Sequence, residues 1–139
     1  MNKRGVYIAG SMEGISDAER SEYFDYVERE LTLRDIPSRN PNRRNSLHID
    51  TDKNLRKRIH AADLRDIADC MILLADIRDS RPGKKWGTVM EVQFAETKHK
   101  IVIVVQDEGQ RVHPFIEVCA TEIHTCIDDA IEAVTTYYQ

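Results

Sequence analysis

The stretch Cys70-Met71-Ile72-Leu73-Leu74-Ala75 decides the fold, because it is a continuous apolar run between two aspartates. A short apolar run without alternation is typical of a strand that is covered on both faces, as in a parallel sheet. Ile101-Val102-Ile103-Val104-Val105 has the same pattern, and Gly5-Val6-Tyr7-Ile8-Ala9-Gly10 indicates a first buried strand. These three runs predict an α/β protein with a parallel sheet.

Apolar residues at helical spacing lie between and after these strands. They predict helices from Asp17 to about Arg34, from Thr51 or Asp52 to about Ile67, and from Ile127 to about Tyr137, and a further helix that contains Glu91 and runs to about His99. Ser16 or Asp17 is the expected N-cap of the first helix. Because strands alternate with helices, we expect a doubly wound sheet of about five strands with right-handed crossovers.

The remaining segments carry weaker signals. Ile36-Pro37-Ser38 suits a short edge strand, since proline is tolerated there. The polar segments 39–45 and 107–114 predict loops, and Ala120-Thr121-Glu122-Ile123-His124 predicts a last strand.

Length and composition limit the class of protein. The 139 residues, 41% of them hydrophobic, predict one domain over residues 1–139. A net charge of -4 argues against a general nucleic-acid-binding protein. The three cysteines are scattered and odd in number, which suits reduced thiols in an intracellular protein, and none has metal-ligand spacing. Without a signal segment or an apolar run of about 18 residues, we expect a soluble, cytoplasmic protein that does not cross a membrane.

The segment Trp86-Gly87-Thr88-Val89-Met90-Glu91 predicts a functional site, because it places a carboxylate on the first turn of a helix after a buried strand. Ligands of open α/β sheets bind beyond the carboxyl ends of the strands. Glu91 is therefore the candidate nucleophile. Gly10 and Ser11 form a candidate binding loop after the first strand, and Asp76 is a candidate ligand contact at the end of the central strand.

Two further side chains have competing interpretations. Arg43 could grip a 5′-phosphate, because a guanidinium matches phosphate oxygens, or could be a solvated loop arginine. Trp86 could stack on a base or anchor its loop to the core.

Three segments together resemble the nucleoside 2-deoxyribosyltransferase-like superfamily, which includes deoxyribosyltransferases and deoxynucleotide N-hydrolases. They are Val6-Tyr7-Ile8-Ala9-Gly10-Ser11, the passage Asp63 to Asp69, and Gly87-Thr88-Val89-Met90-Glu91 followed by Ala95. The resemblance implies a flavodoxin-like fold, no metal or organic cofactor, and a homo-oligomer.

The same resemblance implies roles for individual residues. Glu91 would attack the anomeric carbon of a 2-deoxyribosyl group, Tyr7 would hold that carboxylate or pack in the core, and Asp63 would lie near the base. Gly87 and Thr88 would contact substrate beside the nucleophile. His113 lies where related enzymes contribute to a neighbouring subunit's pocket, although a surface histidine is the simpler interpretation.

These observations favour cleavage of the N-glycosidic bond of 2′-deoxynucleosides, with transfer of deoxyribose to another nucleobase through a glutamyl-enzyme intermediate. An alternative is hydrolysis of deoxynucleoside 5′-monophosphates. It is suggested by Lys84-Lys85-Trp86, where similar transferases often carry an acidic residue. A further alternative is a noncatalytic nucleotide-binding or sensing protein, which Gln93 in place of the usual glycine permits. The expected partners are thus nucleosides or nucleotides and nucleobases.

Overall fold

A five-stranded parallel sheet runs through the middle of the protein, and helices pack on both of its faces. The computed structural model describes residues 5–45 and 53–139. In chain order the elements are β1 (Val6–Ala9), α1 (Asp17–Leu33), β2 (Ser38–Arg39), α2 (Asn42–Asn45), α3 (Lys53–Asp69), β3 (Ile72–Asp76), α4 (Trp86–Thr97), β4 (Ile101–Val105), α5 (Pro114–Cys119), β5 (Glu122–His124) and α6 (Ile127–Tyr138).

The strand order in the sheet is β2-β1-β3-β4-β5, and every neighbouring pair is parallel. This confirms the single-domain, doubly wound α/β fold predicted from the apolar runs. The order reverses direction between β1 and β3, where Ala9 is level with Ala75. Crevices form at such switch points, because the connections leave the two strands toward opposite faces. The fold therefore offers a ligand site beyond the ends of β1 and β3.

The alternation of side chains along β1 assigns residues to the two faces of the sheet. Val6 and Ile8 belong to the core cluster that includes α1 and α6 residues. Tyr7 and Ala9 belong to the opposite cluster, which includes residues of α3, α4 and α5. Tyr7 is consequently held on the same face as α4, the helix that carries Glu91.

Most predicted elements are confirmed, with small shifts at their ends. Ser16 is the N-cap of α1: its hydroxyl accepts from the Glu19 N–H, and the Glu19 carboxylate accepts from the Ser16 N–H. The predicted edge strand over Ile36-Pro37-Ser38 is shifted to Ser38–Arg39. The reason is that the Ile36 N–H still donates to the Leu31 carbonyl and so closes the end of α1.

Two short helices were not predicted. Asn42–Asn45 forms the single turn α2 inside the segment expected to be a loop. Pro114–Cys119 forms α5, whose first residue is a proline and whose N-cap, His113, accepts from the Phe115 N–H through Nδ1. The predicted helix start at Thr51 or Asp52 lies outside the described residues. Across residues 5–45 and 53–139, the helices are too short or too polar to span a bilayer.

Candidate active site

A cleft of about 920 Å³ opens beyond the ends of β1 and β3, between α3 and α4. Its walls come from the loop after β1, from one face of α3, from α4, and from α5. The first residues of α4, Trp86, Gly87 and Thr88, lie along it, and the N–H groups at a helix start have no partners within the helix. The cleft thus combines apolar walls with hydrogen-bond donors, as small-molecule sites commonly do.

Glu91 and Tyr7 meet at the bottom of this cleft. The Tyr7 hydroxyl donates to Glu91 Oε2 at 2.9 Å, linking β1 to α4 across 84 residues of sequence. Burial raises the pKa of Glu91 to about 8, with a further upward contribution from Asp63, while the bond from Tyr7 acts in the opposite direction. The structure therefore holds a desolvated carboxyl group in a fixed orientation.

Glu91 lies in the second turn of α4, which corrects the expectation that it sits in the first. The helix begins at Trp86, before the glycine, so Glu91 is its sixth residue. The helix dipole acts mainly on groups in the first turn. Burial, rather than a helix terminus, consequently dominates the ionisation of Glu91.

Asp63 is the third member of this cluster. It projects from α3, is 9% exposed and lines the cleft. Its negative charge adds to the upward shift of the pKa of Glu91 and, after burial and Glu91 itself, to that of Tyr7. The structure thus brings together the three residues that the sequence proposed for catalysis.

The loop after β1 contributes Gly10 and Ser11 to the cleft. Ser11 is 1% exposed, and Thr88, one helical turn before Glu91, is 2% exposed. Within the described part of the chain, neither hydroxyl has a hydrogen-bond partner. A buried hydroxyl normally finds a partner, so these two are the natural contacts for a polar ligand.

The position of Gly10 requires a residue without a side chain because of the neighbouring Tyr23 ring, not because of a ligand. A Cβ atom at this position would lie 2.6 Å from Cε2 of Tyr23, which packs behind the loop. The glycine thus lets the end of β1 rest against an aromatic ring.

Asp76 and Arg43 were predicted to contact ligand, but neither lines the cleft. The Asp76 carboxylate is fully buried and accepts from the Nε and terminal nitrogen of Arg78, at 2.9 and 2.7 Å. Arg43 instead forms an ion pair with Glu28 of α1. Each of the two expected ligand contacts is thus paired with a charged side chain of the protein, Asp76 with Arg78 and Arg43 with Glu28.

His113 does not line the cleft, and its ring caps α5. Trp86 does line the cleft, yet its side chain is 78% exposed, so it does not anchor its loop to the core.

Several cleft residues were missed by sequence reasoning. On α3, Arg56, Ile59 and His60 line the cleft together with Asp63. Their spacing puts them on the same helix face as Asp63. Once Asp63 is assigned to the site, helix geometry therefore predicts that the other three lie there as well. Glu13 and Lys84, at the mouth, come from two loops whose contact no local pattern indicates.

Exposed apolar side chains lie on α4 and α5, the two helices beside the cleft. Four of them, here called the apolar rim, are Trp86, Met90, Phe115 and Val118. The first three line the cleft, and Val118 is an exposed residue of α5. Contiguous exposed apolar side chains commonly mark interaction surfaces.

The fold and site define an α/β protein with a hydrogen-bonded tyrosine–glutamate pair at the switch point of a parallel sheet. A family model described as nucleoside 2-deoxyribosyltransferase matches residues 6–132. The chain therefore belongs to the nucleoside 2-deoxyribosyltransferase family.

Solved structures agree on the fold. A 2-deoxyribosyltransferase of Bacillus psychrosaccharolyticus superposes with a TM-score of 0.75 at 17% identity, covering 91% of this chain and 89% of that one. A 2-desoxiribosyltransferase of Leishmania mexicana gives 0.70 at 15% identity, with coverage of 96% and 98%. A CMP N-glycosidase of Clostridium botulinum gives 0.61 at 12% identity, with coverage of 95% and 98%. No curated protein matches the chain.

Proposed function

We propose that the protein cleaves the N-glycosidic bond of 2′-deoxynucleosides and transfers the deoxyribosyl group to another nucleobase. The observation that carries this proposal is the hydrogen bond from Tyr7, a buried residue, to the Glu91 carboxylate in the cleft. A carboxylate held in place beside a bound sugar can attack an anomeric carbon with oxocarbenium character. Membership of the family supports the same reaction class.

The reaction would proceed in two displacements. In the first, one oxygen of the Glu91 carboxylate bonds to C1′, while the C1′–N bond breaks and its electron pair leaves with the base. In the second, a nitrogen of the incoming base bonds to C1′, and the C1′–O bond breaks to restore the carboxylate. The departing base gains a proton and the incoming base loses one, so no redox partner is needed.

Asp63 would assist the departing base. An anionic base is a poor leaving group, so a carboxyl that donates a hydrogen bond or a proton lowers the barrier. The mutual repulsion of Asp63 and Glu91 disfavours two negative charges in the cleft. In the first step, Glu91 would attack as the carboxylate while Asp63 interacts with the departing base.

The test is chromatography of deoxynucleosides incubated with purified protein and a second free base. The proposal expects a new nucleoside that forms only when the second base is present. Glu91→Gln should abolish the product, whereas Glu96→Gln on the same helix should not, because Glu96 does not line the cleft. A fully active Glu91→Gln enzyme would contradict the assignment of the nucleophile.

A second candidate function is hydrolysis of deoxynucleoside 5′-monophosphates, and the cations at the cleft favour it. Lys84 and Arg56 line the cleft, and the unpartnered Ser11 hydroxyl could hold a phosphate oxygen. Glu13 at the same mouth acts against it, because a carboxylate repels a phosphate. Release of free base from monophosphates, without dependence on a second base, would establish this function instead of the transfer reaction.

We also propose that the protein assembles as a homo-oligomer through the apolar rim. Burial of four exposed apolar side chains would contribute favourably to association. Because three of them line the cleft, a second copy would also narrow its mouth.

A further inference from the structure

Two loops meet at the mouth of the cleft. The first loop, residues 10–16, follows β1, and the second loop, residues 77–85, follows β3. The Lys84 N–H donates to the Glu13 carbonyl at 3.2 Å and so ties the two loops together. The first loop contains Ser11, whose hydroxyl is buried at the cleft.

Gly83 forms the tightest contact between these loops. Its backbone has a φ of +103°, which residues with side chains rarely adopt. A Cβ atom there would lie 2.8 Å from Cβ of Ser11 and 2.8 Å from Cγ2 of Ile15. The absence of a side chain at Gly83 therefore determines how closely the second loop approaches Ser11.

Arg81 supports the first loop from behind. Its guanidinium carbon lies 4.6 Å from the ring centre of Tyr23. The Tyr23 hydroxyl donates to the Ala9 carbonyl at 2.8 Å, and the Tyr23 ring packs against Gly10. The Lys85 ammonium donates to the Arg81 carbonyl at 2.9 Å, which holds the second loop in this arrangement. A chain of contacts thus runs from Arg81 through Tyr23 to the backbone on which Ser11 sits.

We infer that Gly83 and Arg81 are positioning residues that set the Ser11 hydroxyl for substrate binding. Neither residue lines the cleft, so both act through the Gly10–Ser11 backbone. This inference rests on the proposed function, because it takes the substrate of that reaction as the partner of Ser11. It assigns a role to the Arg81-Pro82-Gly83 segment, which the catalytic cluster of Glu91, Tyr7 and Asp63 does not use.

A double-mutant cycle tests the inference. The variants are Gly83→Ala, Ser11→Ala and the combination of both. KM and kcat are measured in the active enzyme. The Kd for a deoxynucleoside is measured in the same variants carrying Glu91→Ala in addition, so that the substrate binds without reacting. Gly109→Ala is the matched control, because Gly109 also has a positive φ, of +80°, but nothing within 4 Å of its missing side chain. It corrects for backbone strain alone.

We expect Gly83→Ala and Ser11→Ala each to raise KM and Kd about five- to tenfold with kcat within about twofold, as loss of one substrate hydrogen bond would. The combined variant should be no worse than either single variant. Arg81→Met should raise KM in the same way, and Arg81→Lys, which retains the cation above Tyr23, should recover part of the loss. If Gly83→Ala does not fold, the same cycle with Arg81→Met in place of Gly83→Ala decides.

Additive losses from Gly83→Ala and Ser11→Ala would overturn the inference, as would an unchanged KM in Gly83→Ala or an equal rise in Gly109→Ala. If the wild-type protein binds a deoxynucleoside and Gly83→Ala binds it equally well, the inference fails while the proposed function stands. If the wild-type protein neither cleaves nor binds any deoxynucleoside, the proposed function fails and the inference fails with it.

Discussion

Replacing Tyr7 with phenylalanine should move the pH dependence of the reaction in a calculable direction. The Tyr7 hydroxyl donates to the Glu91 carboxylate at 2.9 Å and stabilises its charged form, so it lowers the pKa of Glu91. A hydrogen bond to a charged group contributes about 1.5–3 kcal/mol. At about 1.4 kcal/mol per pKa unit, its loss should raise the pKa of Glu91 by about 1–2 units, from about 8 to about 9–10.

The expected consequence is a loss of activity that depends on pH. If only the ionised Glu91 attacks, activity rises with pH through the pKa of that group. At pH 7 the ionised fraction should fall from about one tenth to about one hundredth or less, so kcat/KM should fall about 10- to 100-fold. Above pH 10 the variant should approach the wild-type rate, because Glu91 is then charged in both proteins.

The assay is the initial rate of base release between pH 6 and 10.5, fitted for the pH midpoint of kcat/KM. Tyr26→Phe is the matched control, since the Tyr26 hydroxyl also donates to a carboxylate, that of Asp128 at 2.6 Å, but on the exposed surface. Its midpoint should not move. A Tyr7→Phe enzyme that is slower with an unchanged midpoint would refute the reasoning, and a midpoint shifted to lower pH would reverse its sign.

Three further variants test the stability and assembly of the protein. Glu91→Gln should gain stability over the wild type as pH rises from about 4.5 to about 8, by about 1.4 kcal/mol per pH unit, because burial penalises only the charged carboxylate. Urea titrations at several pH values measure the difference in the free energy of unfolding, and a difference that does not change with pH would contradict the prediction. Asp76→Asn should destabilise the fold by about 3–5 kcal/mol in urea titrations, because Arg78 and Arg81 then lose a fully buried partner; an unchanged free energy of unfolding would contradict this structural role for Asp76. Val118→Lys should convert the oligomer to a monomer in light scattering without altering the cleft residues, and a monomeric wild-type protein would rule out the assembly.

The fold could be predicted from the sequence because the informative segments are long and uniform. The runs Ile72–Asp76 and Ile101–Val105 are almost wholly buried strands in the structure. The helix Pro114–Cys119 was missed because six residues are too few for apolar periodicity to show. Its signal was local instead, namely a proline at the first helical position after His113.

The candidate site could be predicted only in part, because side-chain partners depend on tertiary contacts. Position at the end of a strand correctly suggested that Gly10 and Ser11 reach the cleft. Asp76 also ends a strand, yet it does not line the cleft, and its carboxylate accepts from Arg78 two residues further on. The partner of Asp76 is thus local, whereas Glu28, which pairs with Arg43, lies 15 residues away on α1.

The raised pKa of Glu91 fits the proposed nucleophilic role when the substrate is considered. A buried carboxyl with a pKa of about 8 is mainly protonated at neutral pH in the free protein. A sugar that develops positive charge at C1′ favours the carboxylate form beside it, and the Tyr7 bond keeps one oxygen fixed while the other attacks. Because the cleft stabilises the anion only weakly before the reaction, most of the electrostatic gain would arise in the transition state. Interactions that strengthen in this way accelerate chemistry, whereas those equally strong with bound substrate lower KM alone.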